Sequence, residues 1–193
     1  MTDYFALLGE PRQPWLDEEE LKSRFFALSS SVHPDRAHAL PEEEKQAAHA
    51  RYTELNAAYN CLREPKERLR HLIELQTGRK PVRVQEVPGD MVEMFFQIGQ
   101  ACREADEFLK RKAAVTSPIL LVEFFEQGQS LTERLMKLSR DLAGRQSRLT
   151  AELKTANAEW NKKIERLEQI QQTLSYLHRW IAQLQERIVQ LAS

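Results

Sequence analysis

The sequence predicts an all-α protein: an N-terminal helical hairpin with short bracing helices, then a C-terminal antiparallel three-helix bundle. Three observations carry that expectation. Apolar residues recur three and four apart along most of the chain, the spacing of one helix face. Helix-starting caps and prolines, and helix-ending glycines, punctuate those stretches. Charged residues are 30% and hydrophobic residues 41% of the 193, an ordinary composition leaning helical.

The first domain is read as residues 1–76. Asp3 can cap a short helix through Leu8, which Gly9 ends. Asp17 caps the next helix, and Glu18, Glu19 and Glu20 favour its dipole. Leu21, Phe25, Leu28 and Val32 form its apolar face. Pro41 and the acidic run Glu42–Glu44 open a third helix, with Ala48, Tyr52, Leu55, Tyr59 and Leu62 as its buried stripe. Pro65 starts a shorter helix that ends near Gly78.

Residues 77–89, with prolines at 81 and 88 and no helical period, read as a linker. The bundle is read as residues 90–193. Asp90 is the expected cap of its first helix, whose stripe is Met91, Phe95, Ile98, Cys102, Ala105 and Leu109. Ser117-Pro118 opens the second, with Phe125, Leu131, Leu135, Leu138, Leu142, Leu149 and Leu153. The third carries Leu174, Leu177, Ile181, Leu184, Ile188 and Leu191. The break between the last two helices falls near 144, at Gly144, or near 156. The second is preferred, with Asn157 as N-cap. On those bounds the last two helices run roughly 36 residues, about 54 Å, against about 23 for the first. Some 13 residues of each therefore overhang the first helix. Their stripe, near Leu142–Leu153 and Trp160–Leu167, needs a further surface, and the first domain is the expected one.

Composition excludes several function classes. A net charge of −1 offers no field for nucleic acid. No run approaches the ~18 apolar residues of a membrane span, and the N-terminus has no basic region followed by an apolar one. The expected location is therefore cytoplasmic. Cys61 and Cys102 are too far apart for a metal motif and read as buried thiols. No catalytic constellation, phosphate loop or metal-ligand cluster is present, so neither enzyme activity nor a cofactor is expected. His38, His49, His71 and His178 are scattered and read as surface or boundary residues.

The most informative residues are His33, Pro34 and Asp35, between two helical patterns. Pro34 keeps its predecessor out of the α region, so the helix before it stops. A carboxylate presented beyond that stop can take a bidentate arginine from a partner. The tripeptide alone is a weak signal, since a helix-stopping proline in a turn has the same form.

The flanking residues resemble a J domain: D-Y-F-x-L-L-G at Asp3–Gly9, the His-Pro-Asp, and N-A-A-Y-x-x-L at Asn56–Leu62. The tail from Pro65 to Gly78, P-K-E-R-L-R-H-L-I-E-L-x-x-G, is similar to the HscB subfamily of iron–sulfur cluster biogenesis. That resemblance implies a co-chaperone. Its His-Pro-Asp loop and a basic helix face would engage a DnaK/HscA-type ATPase chaperone and stimulate ATP hydrolysis. His33, Pro34 and Asp35 match the motif, Arg36 stands where lysine is usual, and Lys22 and Arg24 supply positive charge. Ser29-Ser30-Ser31 departs from the family, which tends to carry a basic residue in that turn.

Helical spacing also predicts a client patch. Val92 and Phe96 lie off the first bundle helix's seam, and Tyr176 and Trp180 off the third's; each pair is four apart. Parallel helices put Phe96 level with Tyr176 within about a turn. The resemblance implies that an IscU-like cluster scaffold docks through Met91, Val92, Phe95 and Tyr176, although Gln97, Gly99 and Gln100 replace the usual acidic pattern. The competing reading is that all these residues are bundle core. A J-protein with a different client remains open. So does a coiled-coil assembly protein, or a homodimer through the bundle, given the heptads from Leu167 to Leu191.

Overall fold

The computed structural model describes residues 1–33, 41–79 and 87–192, with the side chains of 118–121 outside that description. Seven α-helices lie among the described residues: α1 Tyr4–Leu8, α2 Glu18–Ser30, α3 Glu42–Arg63, α4 Pro65–Thr77, α5 Val92–Ala113, α6 Pro118–Ala156 and α7 Ile164–Ala192. They belong to two compact units. One comprises Met1–Val82 with Thr150–Gln171, the other Arg83–Leu149 with Gln172–Ser193.

In the first unit the helix ends form as their residues dictate. Asp3 accepts from the Phe5 and Ala6 amides at 3.0 and 3.3 Å, and its other oxygen pairs with Arg12 at 2.6 Å. Burial would raise the Asp3 pKa, but these donors outweigh it and hold the carboxyl below its ordinary value. Asp17 caps α2 at 3.1 Å from each of the Glu19 and Glu20 amides. Gly9 and Gly78 close α1 and α4 at φ 70°, a conformation that glycine adopts without steric cost.

Both α1 and α2 pack on α3, which also packs on α4. Phe5, Leu8, Leu21, Phe25, Leu55, Ala58, Leu62, Leu69, Leu72 and Ile73 are the main core. The inner face of α2 runs through Leu21, Phe25 and Ser29, in steps of four. Leu28, expected inside, is on the flank and exposed.

Three buried polar features of this unit depend on distant partners. Arg68, only 2% exposed, donates to the Pro14 carbonyl at 2.9 Å and the Leu62 carbonyl at 2.6 Å. Burial lowers its pKa to about 10. His71, expected at the surface or boundary, is buried: its ring stacks on Tyr4 and its Nε2 accepts the Tyr4 amide at 3.1 Å. Asn157 is not an N-cap. Its Oδ1 accepts the Trp15 amide at 3.0 Å, and its Nδ2 donates to Gln13 Oε1 and the Trp15 carbonyl at 3.0 and 3.2 Å. The turn after α6 instead passes through a 3-10 segment, Trp160–Lys162, before α7 begins at Ile164. Lys154 sits 4.5 Å over the Trp15 ring, and Leu153, Leu167 and Ile170 are buried. Of the expected overhang, Leu153 and Trp160–Leu167 share a unit with the N-terminal hairpin, whereas Leu142 and Leu149 belong to the second unit and pack in its core. The preferred break near 156 is where α6 ends, and Gly144 lies inside that helix.

The His71 geometry predicts a pH dependence. Nε2 can accept a backbone amide only when unprotonated, and burial pushes the imidazole below its ordinary 6.5 despite the opposing pull of Asp3 and Glu74. The unfolded chain therefore binds this proton more readily than the folded one. Stability should be level above pH 6.5 and fall as the pH drops below it. Asp3, held below 3.8, adds its own loss only in stronger acid. Urea midpoints between pH 5 and 8 check this. His71→Gln, which keeps an acceptor but does not titrate, should flatten the slope; an equal slope in both proteins would contradict the assignment.

The second unit is a helical core around Met91, Ile98, Ala101, Cys102, Ala105, Phe108, Leu135, Leu142, Leu177, Trp180, Leu184 and Leu191. Its ion pairs cross between helices: Arg134 with Glu104, Arg145 with Asp90, and Arg187 with Asp106 at 2.8 Å. Asp90 is thus committed to a salt bridge, not a cap, and a 3-10 turn over Gly89–Met91 precedes α5. After the buried Met91 of the 3-10 turn, the buried positions of α5 are Ile98, Ala101, Cys102, Ala105 and Phe108, with Leu109 partly buried against them, so of the expected stripe Phe95 alone turns outward. Phe124, not the 73%-exposed Phe125, is the start of α6 that packs inward, against Phe108. Gly128 is where the Phe108 ring comes close: a Cβ there would stand 3.2 Å from it. Of the expected linker, residues 80–86 lie outside the described residues.

Candidate functional site

Two surfaces hold the predicted functional residues, one in each unit. In the first, α2 ends at a serine run whose hydroxyls turn back on the helix. Ser29, Ser30 and Ser31 donate to the Phe26, Ala27 and Leu28 carbonyls at 3.5, 3.0 and 3.1 Å. Such back-bonding competes with continued helix and suits a stop. His33 follows two residues later, its ring edge-on to Tyr52 of α3 at 5.3 Å and 80°. That contact sets the imidazole beside the second strut of the hairpin. Pro34, Asp35, Arg36 and His38 lie outside the described residues.

The two basic residues of α2 differ. Lys22 is half exposed and 4.0 Å from Glu19, a loose surface pair that leaves its charge facing solvent. Arg24 is placed differently from expectation. Its guanidinium donates to the Gly9 carbonyl and to Glu20 at 2.6 Å, and lies 3.2 Å from Glu10. It thereby ties α2 to the end of α1. Burial raises the Glu10 pKa, with Arg24 opposing it.

The second surface is aromatic. Val92, Phe95 and Phe96 are exposed by 39%, 43% and 63%. Phe96 lies 5.6 Å from Phe95, Phe95 6.3 Å from Trp180, and Trp180 5.6 Å from Tyr176, measured between ring centroids. The structure therefore brings the start of α5 and the middle of α7 together, and makes a continuous chain of rings from the predicted residues. Two of those residues are corrected. Met91 is fully buried and Trp180 is 4% exposed, so both are core, and Trp180 lies beneath the row in ring contact with Phe95 and Tyr176. Burial takes Met91 because it lies one helical face away from Val92, in register with Ile98. Sequence spacing missed Arg179, whose guanidinium lies 5.6 Å over the Tyr176 ring. The signal was available, since the two are three apart on one helix.

Neither cysteine offers reactive chemistry. Burial pushes the Cys61 thiol up to about 11 and raises that of Cys102, and both are free. Among the described residues no group of His, Cys, Asp and Glu could hold a metal ion, and no helix is long and apolar enough to cross a membrane.

Comparison with known proteins places the first surface in a family. Residues 3–71 match the DnaJ domain. They are a J domain. Two curated relatives are similar over a stretch of comparable length. The co-chaperone protein HscB homologues of Azoarcus sp. (strain BH72) and Aromatoleum aromaticum are 40% and 38% identical over 73 residues. Those matches span 38% of this chain and 41% of each relative, less than half of either protein. Solved structures extend the likeness of fold. Chaperone HscB from Vibrio cholerae aligns at a TM-score of 0.62 with 23% identity, covering 98% of this chain and 99% of that one. Human co-chaperone protein HscB aligns at 0.59 with 22% identity, covering 98% and 81%. The chain is thus HscB-like, in sequence through its J domain and in fold along nearly its whole length. Arg68 braces that J domain from within, Arg24 ties α2 to the end of α1 at its surface, and His33 stands at the junction of α2 with the connector to α3.

Proposed function

We propose that this chain is a J-domain co-chaperone of iron–sulfur cluster assembly. It stimulates the ATPase of an Hsp70-type chaperone of the DnaK/HscA kind and delivers an IscU-like scaffold to it. It works in the cytoplasm and catalyses no reaction of its own. The observation that carries the first half is the His-Pro-Asp motif directly after α2, with His33 set against Tyr52, within a J domain. His33, Pro34, Asp35 and Arg36 form the chaperone contact, with Lys22 as the exposed charge of α2 and Arg24 bracing it. The aromatic surface supports the second half. An exposed apolar cluster on a rigid helical support is a surface suited to a protein partner. Val92, Phe95, Phe96 and Tyr176 are its contact residues, and Trp180 supports the row from beneath.

A paired measurement tests the client site. Val92→Ala combined with Phe96→Ala should weaken binding of the purified scaffold on the order of tenfold or more, as apolar anchors at an interface do. The melting temperature should move little, because Phe96 is 63% exposed and Val92, at 39%, lies at the rim and not in the core. Truncating core side chains would cost ~2–5 kcal/mol each. Unchanged scaffold affinity, or a large fall in melting temperature, would remove these residues from the client site.

A further inference from the structure

The charge around the aromatic surface points to the chemistry of its partner. On α5, Val92, Phe96, Gly99 and Arg103 are spaced four, three and four, which places them in one column. Gly99 leaves a gap in that column. The Arg103 guanidinium fills it, with Nη1 3.7 Å from where a Cβ of residue 99 would stand. Long helical side chains lean toward the N-terminus, here toward Phe96. At the other end of the ring chain, the Arg179 guanidinium lies over Tyr176. Arg179 thus stands at the Tyr176 end of the row Phe96, Phe95, Trp180 and Tyr176, and Arg103 sits against Gly99, one turn past Phe96 in the same column.

These two cations differ from the bundle's structural arginines. Arg134, Arg145 and Arg187 each have a carboxylate on another helix. Arg103 and Arg179 have no ion-pair partner among the described residues. The nearest acid of the column's first turn, Glu93, accepts a hydrogen bond from Gln97 at 3.2 Å, and Gln97 and Gln100 are neutral. Both arginines are exposed residues. Each keeps its planar fork of donors available for a carboxylate.

We propose that the partner surface docked here is an apolar segment flanked by carboxylates, which Arg103 and Arg179 receive, the one past Phe96 and the other over Tyr176. This rests on the reading of that surface as the client site. A phosphate-bearing partner is disfavoured: the chain's net charge is −1, and two guanidiniums cannot track a nucleic-acid backbone.

Full-length protein titrated calorimetrically with purified IscU-like scaffold, at low and high salt, tests the proposal. Wild-type affinity should fall as salt rises. Arg103→Gln with Arg179→Gln should weaken binding on the order of tenfold at low salt, and Arg103→Glu with Arg179→Glu still more, since like charges then meet. The gap between wild type and the glutamine variant should narrow at high salt. Stimulation of the chaperone ATPase without scaffold serves as the folding control and should not change. Wild-type affinity in both arginine variants, alongside lost binding in Val92→Ala/Phe96→Ala, would overturn the charge assignment and leave the client site standing. Tighter binding by the glutamate variant, or displacement of scaffold by single-stranded RNA, would also overturn it. No binding of scaffold by the wild type would remove the client reading and this inference together.

Discussion

Asp35→Asn is expected to abolish stimulation of an Hsp70-type ATPase while leaving the melting temperature unchanged. The amide keeps the size of the carboxylate and leaves Pro34, and so the helix stop, intact. What it loses is charge. A hydrogen bond to a charged group contributes ~1.5–3 kcal/mol, on the order of ten- to a hundredfold in the coupling it supports. Steady-state ATP turnover by the chaperone, with variant and wild type at equal concentration, measures the effect. Undiminished stimulation by Asp35→Asn would mean that the motif does not act as a chaperone contact.

Arg68→Met is expected to cause the largest loss of stability in the J domain. The guanidinium is buried and spends two donors on the Pro14 and Leu62 carbonyls, one on the loop before α2 and one at the end of α3. Methionine keeps much of the volume but supplies no donor. Two buried carbonyls left without partners would cost roughly 3 kcal/mol, a large part of the 5–15 kcal/mol that stabilises an ordinary domain. Arg68→Lys should rescue only in part, because an ammonium lacks the planar fork that serves two carbonyls at once. Urea unfolding checks both. A loss under about 1 kcal/mol for methionine would show that these carbonyls find other donors.

Local chemistry makes the hairpin legible in the sequence. Asp3 and Asp17 cap, Gly9 and Gly78 stop, and Leu21, Phe25, Leu55 and Leu62 point inward, because each depends on neighbours within a turn or two. Residues whose partners are distant along the chain are not legible in this way. Asn157 has the composition and place of an N-cap, yet its amide serves the backbone of Trp15, 142 positions away. Arg68 and His71 look like surface residues of an amphipathic helix, but the Pro14 carbonyl and the Tyr4 amide satisfy them inside the core. Of the aromatic surface, spacing brings together the helices and rings that neighbour one another in the structure. It does not distinguish rings in water from rings beneath them: Phe96 and Trp180 both lie off the predicted seams, yet Phe96 is 63% exposed and Trp180 only 4%. Arg24 escapes for a related reason: its Glu20 partner is one turn back on α2, but Glu10 and the Gly9 carbonyl reach it only when the end of α1 folds against α2.

The central claim is that one chain couples a chaperone ATPase to a client. Steady-state ATP turnover by a DnaK/HscA-type chaperone, measured with the full-length protein alone and then with purified IscU-like scaffold added, tests it most directly. The account predicts stimulation by the wild type alone and a further rise with scaffold. Asp35→Asn should lose both, and Val92→Ala/Phe96→Ala only the rise. Turnover that stays at the chaperone's basal rate with the wild-type protein, with or without scaffold, would contradict it.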